Sequence, residues 1–202
     1  MDGTEERIVY KDLSNDVGLV VSNLHCDLAC TYVWGPYILF SFDFTVEQNA
    51  FSQTFRIFTE LSNLKGFLEG RKSVLYDGTQ EDEDDKTFYG ESFDEIVKNG
   101  RKINFIIETT PESKVSVVNN KYLHIKLDTH FQDSTIMTEL NIKLNKELFE
   151  TFLINLKANC SVLSEKLSEK IENIEKENFN YFTGDNDVQT IKNKLLEEIR
   201  KF

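Results

Sequence analysis

His124, Lys126, Asp128 and His130 occupy alternate positions of one run, so as a strand they would share a face. Two imidazoles and a carboxylate could bind a metal or relay a proton. From His124 to His130 such a strand stretches about 20 Å at ~3.3 Å per residue, too far for one ion unless it ends near Asp128. A polar outer face is the simpler expectation. His25, Cys26 and Cys30 form a second group, but Cys-x3-Cys without a second pair lacks the four spaced ligands of a zinc site. Cys160 falls at an apolar helical position, where cysteine behaves as a small buried hydrophobe. Neither a metal nor another cofactor is expected. Gly-rich phosphate loops, nucleophile elbows and His-Glu-x-x-His helices do not occur. Carboxylates abound, which gives no basis for choosing a catalytic dyad. The expectation is a non-catalytic protein.

The strongest chemical signal is charge. The chain has 202 residues, 23 Lys+Arg and 35 Asp+Glu, for a formal charge of −12. Residues 1–76 hold 10 acidic and 6 basic residues, and residues 96–202 hold 16 of each. Residues 77–95 hold Asp77, Glu81, Asp82, Glu83, Asp84, Asp85, Glu91, Asp94 and Glu95 against Lys86 alone, a net of −8. Five consecutive acids repel one another and resist both helix and strand, so a loop is expected here. Asp77-Gly78-Thr79-Gln80-Glu81 lacks the ligand order of a calcium-binding EF-hand loop. Concentrated negative charge steers a cationic protein and repels phosphate backbones and anionic membranes. The nine acids are therefore the expected contact for a basic protein partner, with no nucleic acid met through this loop and no membrane partner.

The elements that must carry this loop are legible in the hydropathy pattern. Arg7–Tyr10 and Gly18–Val21 read as short strands. In Tyr37–Val46, Phe40, Phe42, Phe44 and Val46 alternate with Ser41, Asp43 and Thr45, which predicts a half-buried strand. Phe51–Phe58 extends the set. Leu61, Leu64 and Leu68 recur at three and four, which predicts a short helix ended by Gly70. Strands return at Lys102–Glu108, Lys114–Val118, Tyr122–Leu127 and Ile136–Leu144, with Asn119-Asn120 as a hairpin turn.

Asn145 can cap a helix that begins with Glu147 in its first turn. Leu153, Cys160, Leu167 and Ile174 recur every seven residues, as do Phe149, Leu156 and Leu163. A helix over 146–176 would run roughly 45 Å at about 1.5 Å per residue. Val188, Ile191, Leu195, Ile199 and Phe202 make a last amphipathic helix capped by Asp185 or Asp187. The expected fold is α+β: an antiparallel β meander or sandwich with a short inserted helix, then a long helix and a helical hairpin or coiled-coil tail. The expected division is an α+β domain over 1–163, containing loop 77–95, and a charged helical tail over 164–202. Leu153, Cys160, Leu167, Ile174, Leu195 and Ile199 form a seam, closed either within the chain or by a homodimer partner. The N-terminus lacks a basic segment followed by an apolar one, and no run is long enough to span a bilayer, so a cytoplasmic protein is expected. Three cysteines argue against a disulfide framework.

The order of elements resembles small acidic immunity proteins of bacterial polymorphic-toxin systems, of the wall-associated toxin immunity type. An aromatic strand, Phe40-Ser41-Phe42-Asp43-Phe44, leads to a helix, Leu61–Leu68. A meander through Thr138–Leu144 then leads to the helical run Leu148–Leu156. The resemblance covers roughly residues 7–163 and rests on element order rather than a signature motif. It implies a protein that binds and blocks a toxin, for instance by covering a basic nuclease site with acids. Two other classes share the pattern: a β head with a coiled-coil stalk that homodimerises as a scaffold, and a secretion chaperone.

Overall fold

A computed structural model describes residues 3–4, 7–31, 35–69, 73–77, 101–109, 121–131, 134–173 and 187–202. Their element order is β1 (Gly3–Thr4), β2 (Ile8–Asp12), β3 (Val17–Thr31), β4 (Gly35–Gln48), β5 (Phe51–Glu60), α1 (Leu61–Leu68), β6 (Ser73–Asp77), β7 (Arg101–Thr109), β8 (Lys121–Phe131), β9 (Ser134–Leu144), α2 (Lys146–Asn173) and α3 (Val188–Arg200). The strands join in one nine-stranded sheet in the order β1-β3-β4-β5-β6-β7-β8-β9, with β2 also on β3. Every pairing is antiparallel. The chain thus runs through a four-stranded meander and a helix twice, β2–β5 with α1 and then β6–β9 with α2. The class is α+β.

The alternation in β4 produces its burial. Phe40, Phe42, Phe44 and Val46 are fully buried, and Phe55 and Ile57 of β5 join them. On β3 the pattern changes frame. Val17, Leu19 and Val21 are buried, and then Leu24 is buried with Cys26 and Leu28 packed on the core. The apolar face passes from odd to even positions at an irregularity between Ser22 and His25, where Asn23 has φ 52°. An extra residue in one strand does this: it turns each later side chain to the other face. The strand expected over 18–21 therefore extends to Thr31.

β8 has both edges occupied, by β7 and by β9. The hairpin expected between 114–118 and 122–127 is corrected accordingly, because the neighbour of Tyr122–Leu127 on that side is β7. Residues 114–120, 93–97, 174–176 and Gly70 lie outside the described residues.

α2 starts where Asn145 Oδ1 accepts the N–H groups of Glu147 and Leu148, at 3.1 and 3.2 Å. Those donors have no partner within the helix, so the cap satisfies them. Phe149, Phe152, Leu153, Leu156, Cys160, Leu163, Leu167 and Ile171 form its buried stripe. The stripe packs on β2 and β3, with the Phe149 ring edge-on to Tyr10 at 6.1 Å. α3 is capped by Asp187, which accepts from the Gln189 N–H, and buries Val188, Leu195 and Ile199. One hydrophobic cluster contains these residues together with the cores of β2–β5, α1, β8 and β9. No helix among the described residues is long and apolar enough to cross a membrane.

Candidate functional site

The acidic stretch enters the fold at one point. Asp77, the last residue of β6, is the cross-strand partner of Arg101, the first residue of β7. The two ends of segment 78–100 are thus held as ladder neighbours, about 5 Å apart. Glu81, Asp82, Glu83, Asp84, Asp85, Glu91, Asp94 and Glu95 lie outside the described residues, and of Asp77 only the backbone is described.

A second polar group lies on the sheet face turned away from the helices. Asp43 of β4 stands directly across from Arg56 of β5, whose Nη1 donates to Asp43 Oδ1 at 2.8 Å. The other carboxylate oxygen, Oδ2, accepts from Asn23 Nδ2 at 2.5 Å. The Arg56 guanidinium also sits 5.9 Å from the centre of the Phe58 ring, a cation–π contact worth about 0.5–1 kcal/mol. The ion pair is partly exposed, with side-chain accessibilities of 34% and 21%, so water screens it and its contribution is at most about 1 kcal/mol.

His25 sits at the edge of this group. Its Nδ1 is buried and has no hydrogen-bond partner among the described residues. An orphaned buried polar atom costs about 1–3 kcal/mol. Burial, and then the nearby Arg56 charge, hold the imidazole below its ordinary value, against the pull of Asp43 and Asp27. Cys26, the next residue, points to the other side and packs on the core. Strand alternation therefore separates His25 from Cys26, and the two cannot share an ion. Burial pushes the thiols of Cys26 and Cys160 well up, so both are held as inert thiols. His124, Asp128 and His130 all lie on β8, and their side chains fall outside the described residues, as does that of Cys30. Among the described residues no group of three or more His, Cys, Asp or Glu is placed to hold a metal.

A third group ties the β2–β3 turn to α2. Asp12 accepts from Ser14 N–H at 2.9 Å, Ser14 Oγ at 2.6 Å and Asn15 Nδ2 at 2.7 Å. These bonds, that of the Ser14 side chain foremost, hold its carboxyl below the usual carboxylate range. The Tyr10 hydroxyl accepts the Asn145 N–H at 2.8 Å, and burial pushes its titration up to about 12. The arrangement is a structural brace, with its acceptors already filled.

The seam is closed within one chain over the residues described. Leu153, Cys160, Leu167, Leu195 and Ile199 are all buried, whereas Ile174 lies outside the described residues. Between α2 and α3 runs a groove of about 280 Å3, lined by Ser161, Ser168, Glu165, Glu172, Arg200 and Phe202 among others. Its serines donate back to helix carbonyls, Ser161 to Lys157 and Ser168 to Glu165. Sequence reasoning missed the Asn23–Asp43–Arg56–His25 group. Asp43 and Arg56 carried a weak signal, as polar residues on the outer positions of two adjacent predicted strands. Asn23 and His25 carried none without knowledge of the bulge.

No family model matches the chain, and no curated protein matches it. Two solved structures are similar to it. WHY1 from Arabidopsis thaliana is 10% identical, with 83% of this chain and 92% of that one covered at a TM-score of 0.39. The plant transcriptional regulator PBF-2 is 8% identical, with 92% and 94% covered at a TM-score of 0.42. Likenesses this distant bear on neither fold nor function.

Proposed function

We propose that this chain is a non-catalytic protein-binding module of the immunity type. Its acidic segment 77–95 engages a basic partner such as a toxin nuclease. The observation that carries the reading is the joint one of charge and register. Half of the chain's net charge, −6 of −12, lies in the segment from Asp77 to Arg101, and those two end residues are cross-strand neighbours. Acids concentrated in one short stretch of chain give a local field that a dispersed charge of the same size does not, and such fields raise association rates with cations. A phosphate-binding surface on a toxin has the complementary charge, so the acids would compete there with nucleic acid.

The test replaces Glu81, Asp82, Glu83, Asp84 and Asp85 by their amides and uses a basic nuclease as the probe. Binding should weaken at least tenfold, and its dependence on salt should become shallower. Unchanged affinity with an unchanged salt slope rejects the reading. Capture with the native chain from its host, in parallel with the amide variant, identifies the partner.

A further inference from the structure

Strand β1 is two residues long, and among the described residues it pairs with β3 alone, as Gly3↔His25 and Thr4↔Leu24. That pairing falls where β3 changes frame, next to Asn23 in its left-handed conformation at φ 52°. An Asn tolerates this region better than most residues, but the conformation still needs support from its surroundings. The bond from Asn23 Nδ2 to Asp43 Oδ2 provides it. His25 is the β3 residue opposite Gly3, and on its other side it pairs with Ser41 of β4.

We propose that His25 is a proton-operated latch for strand β1. With the ring neutral, the irregularity at Asn23 is held by Asp43 and β1 stays paired. A proton on the ring adds a charge and makes both nitrogens donors, so the buried Nδ1 is then a donor with no acceptor among the described residues. The charged groups near it among the described residues are Arg56 from β5, Asp43 from β4 and Asp27 from β3 itself. Arg56 repels the new charge. Asp43 attracts it, and its two oxygens already accept from Arg56 and from Asn23, so the ring competes with those donors there. The imidazolium is satisfied by displacing Asn23 from Oδ2. Asn23 then loses the support of its left-handed conformation, the frame change in β3 relaxes, and β1 loses the backbone it pairs with. The sign agrees with the lowered affinity of the ring for a proton: the paired state binds the proton less well than the released state. Pairing is therefore favoured above the ordinary histidine range and lost as pH falls through the lowered value.

Hydrogen exchange of the full chain tests this, with rates corrected for the intrinsic effect of pH. Between pH 7.5 and pH 5, exchange in peptides covering 3–4 and 22–26 should rise several-fold, while peptides of α2 stay unchanged. In His25→Gln the same peptides should show no pH response over this range. A flat response in the unaltered chain, or an equal response in H25Q, overturns the proposal. Should H25Q fail to fold, the proton NMR titration of the unaltered chain decides. The His25 ring should titrate below about 6.5, and the Gly3 amide should shift with the same midpoint. A midpoint at or above that value, or a Gly3 amide that does not follow it, overturns the proposal equally.

Discussion

The Tyr10 hydroxyl connects the first hairpin to the first turn of the long helix, by accepting the Asn145 N–H. Tyr10→Phe keeps the edge-on contact with Phe149 and removes only the oxygen, which leaves a part-buried N–H without its acceptor. Urea unfolding should show a loss of about 1–3 kcal/mol. Asp12, two residues on, has the opposite kind of value: its carboxyl is held below its unfolded value by Ser14 and Asn15. Its contribution is complete above the unfolded value, near 4, and fades as pH falls through the lower folded one. Asp12→Asn should therefore flatten part of the acid limb of a stability-against-pH curve while lowering stability at pH 7. An acid limb identical to that of the unaltered chain would show that the hydrogen bonds to Asp12 do not favour its ionised form.

At the scale of elements, hydropathy was most informative where one frame holds throughout. The alternation of Phe40 to Val46 predicts β4, and the polar residue ahead of an apolar helical stripe predicts the Asn145 cap. It was least informative on β3, because Val17, Leu19 and Val21 belong to one frame and Leu24, Cys26 and Leu28 to the other. A scan for one period sees such a strand end at Val21. The same break hid the candidate site, since the frame of Val17, Leu19 and Val21 carried onward would put His25 on the core face. The seven-residue spacing of α2 was legible as a buried seam, but spacing alone does not say what covers it. In the fold β2, β3 and α3 do so. α3 itself is a short helix, and Asp187 caps it through the Gln189 N–H and the Thr190 hydroxyl. Asp187→Ala should cost about 0.5–2 kcal/mol. Exchange protection should fall in 188–200 with little change in β4, and equal losses in both would refute a local role for the cap.

For the whole molecule, the boundary at 163–164 falls inside a continuous helix. Leu167, Ile171, Val188, Leu195 and Ile199 lie beyond it, and all five belong to the common hydrophobic cluster. Each such side chain is worth about 1.5–3 kcal/mol when fully buried. Together they are comparable with the entire stability of an ordinary domain. A chain ending at 163 should therefore lose its cooperative thermal transition and its near-ultraviolet circular dichroism. A sharp transition retained by that fragment would show that residues 164–202 are dispensable to the core.

The last residues of the chain close over some of the first. The Phe202 ring stacks on Phe40 at 6.0 Å, and Lys65 Nζ donates to the Lys201 carbonyl at 2.8 Å. A ribosome makes these partners in the reverse order of need. The aromatic face of β4 and β5 exists long before the helices that cover it, and at about 5–20 residues per second the interval lasts on the order of ten seconds. Throughout that interval a sheet rich in phenylalanine is present without its lid. Synthesis that stalls before α3 should yield a chain held by chaperones or lost to aggregation, even where every finished strand is sound.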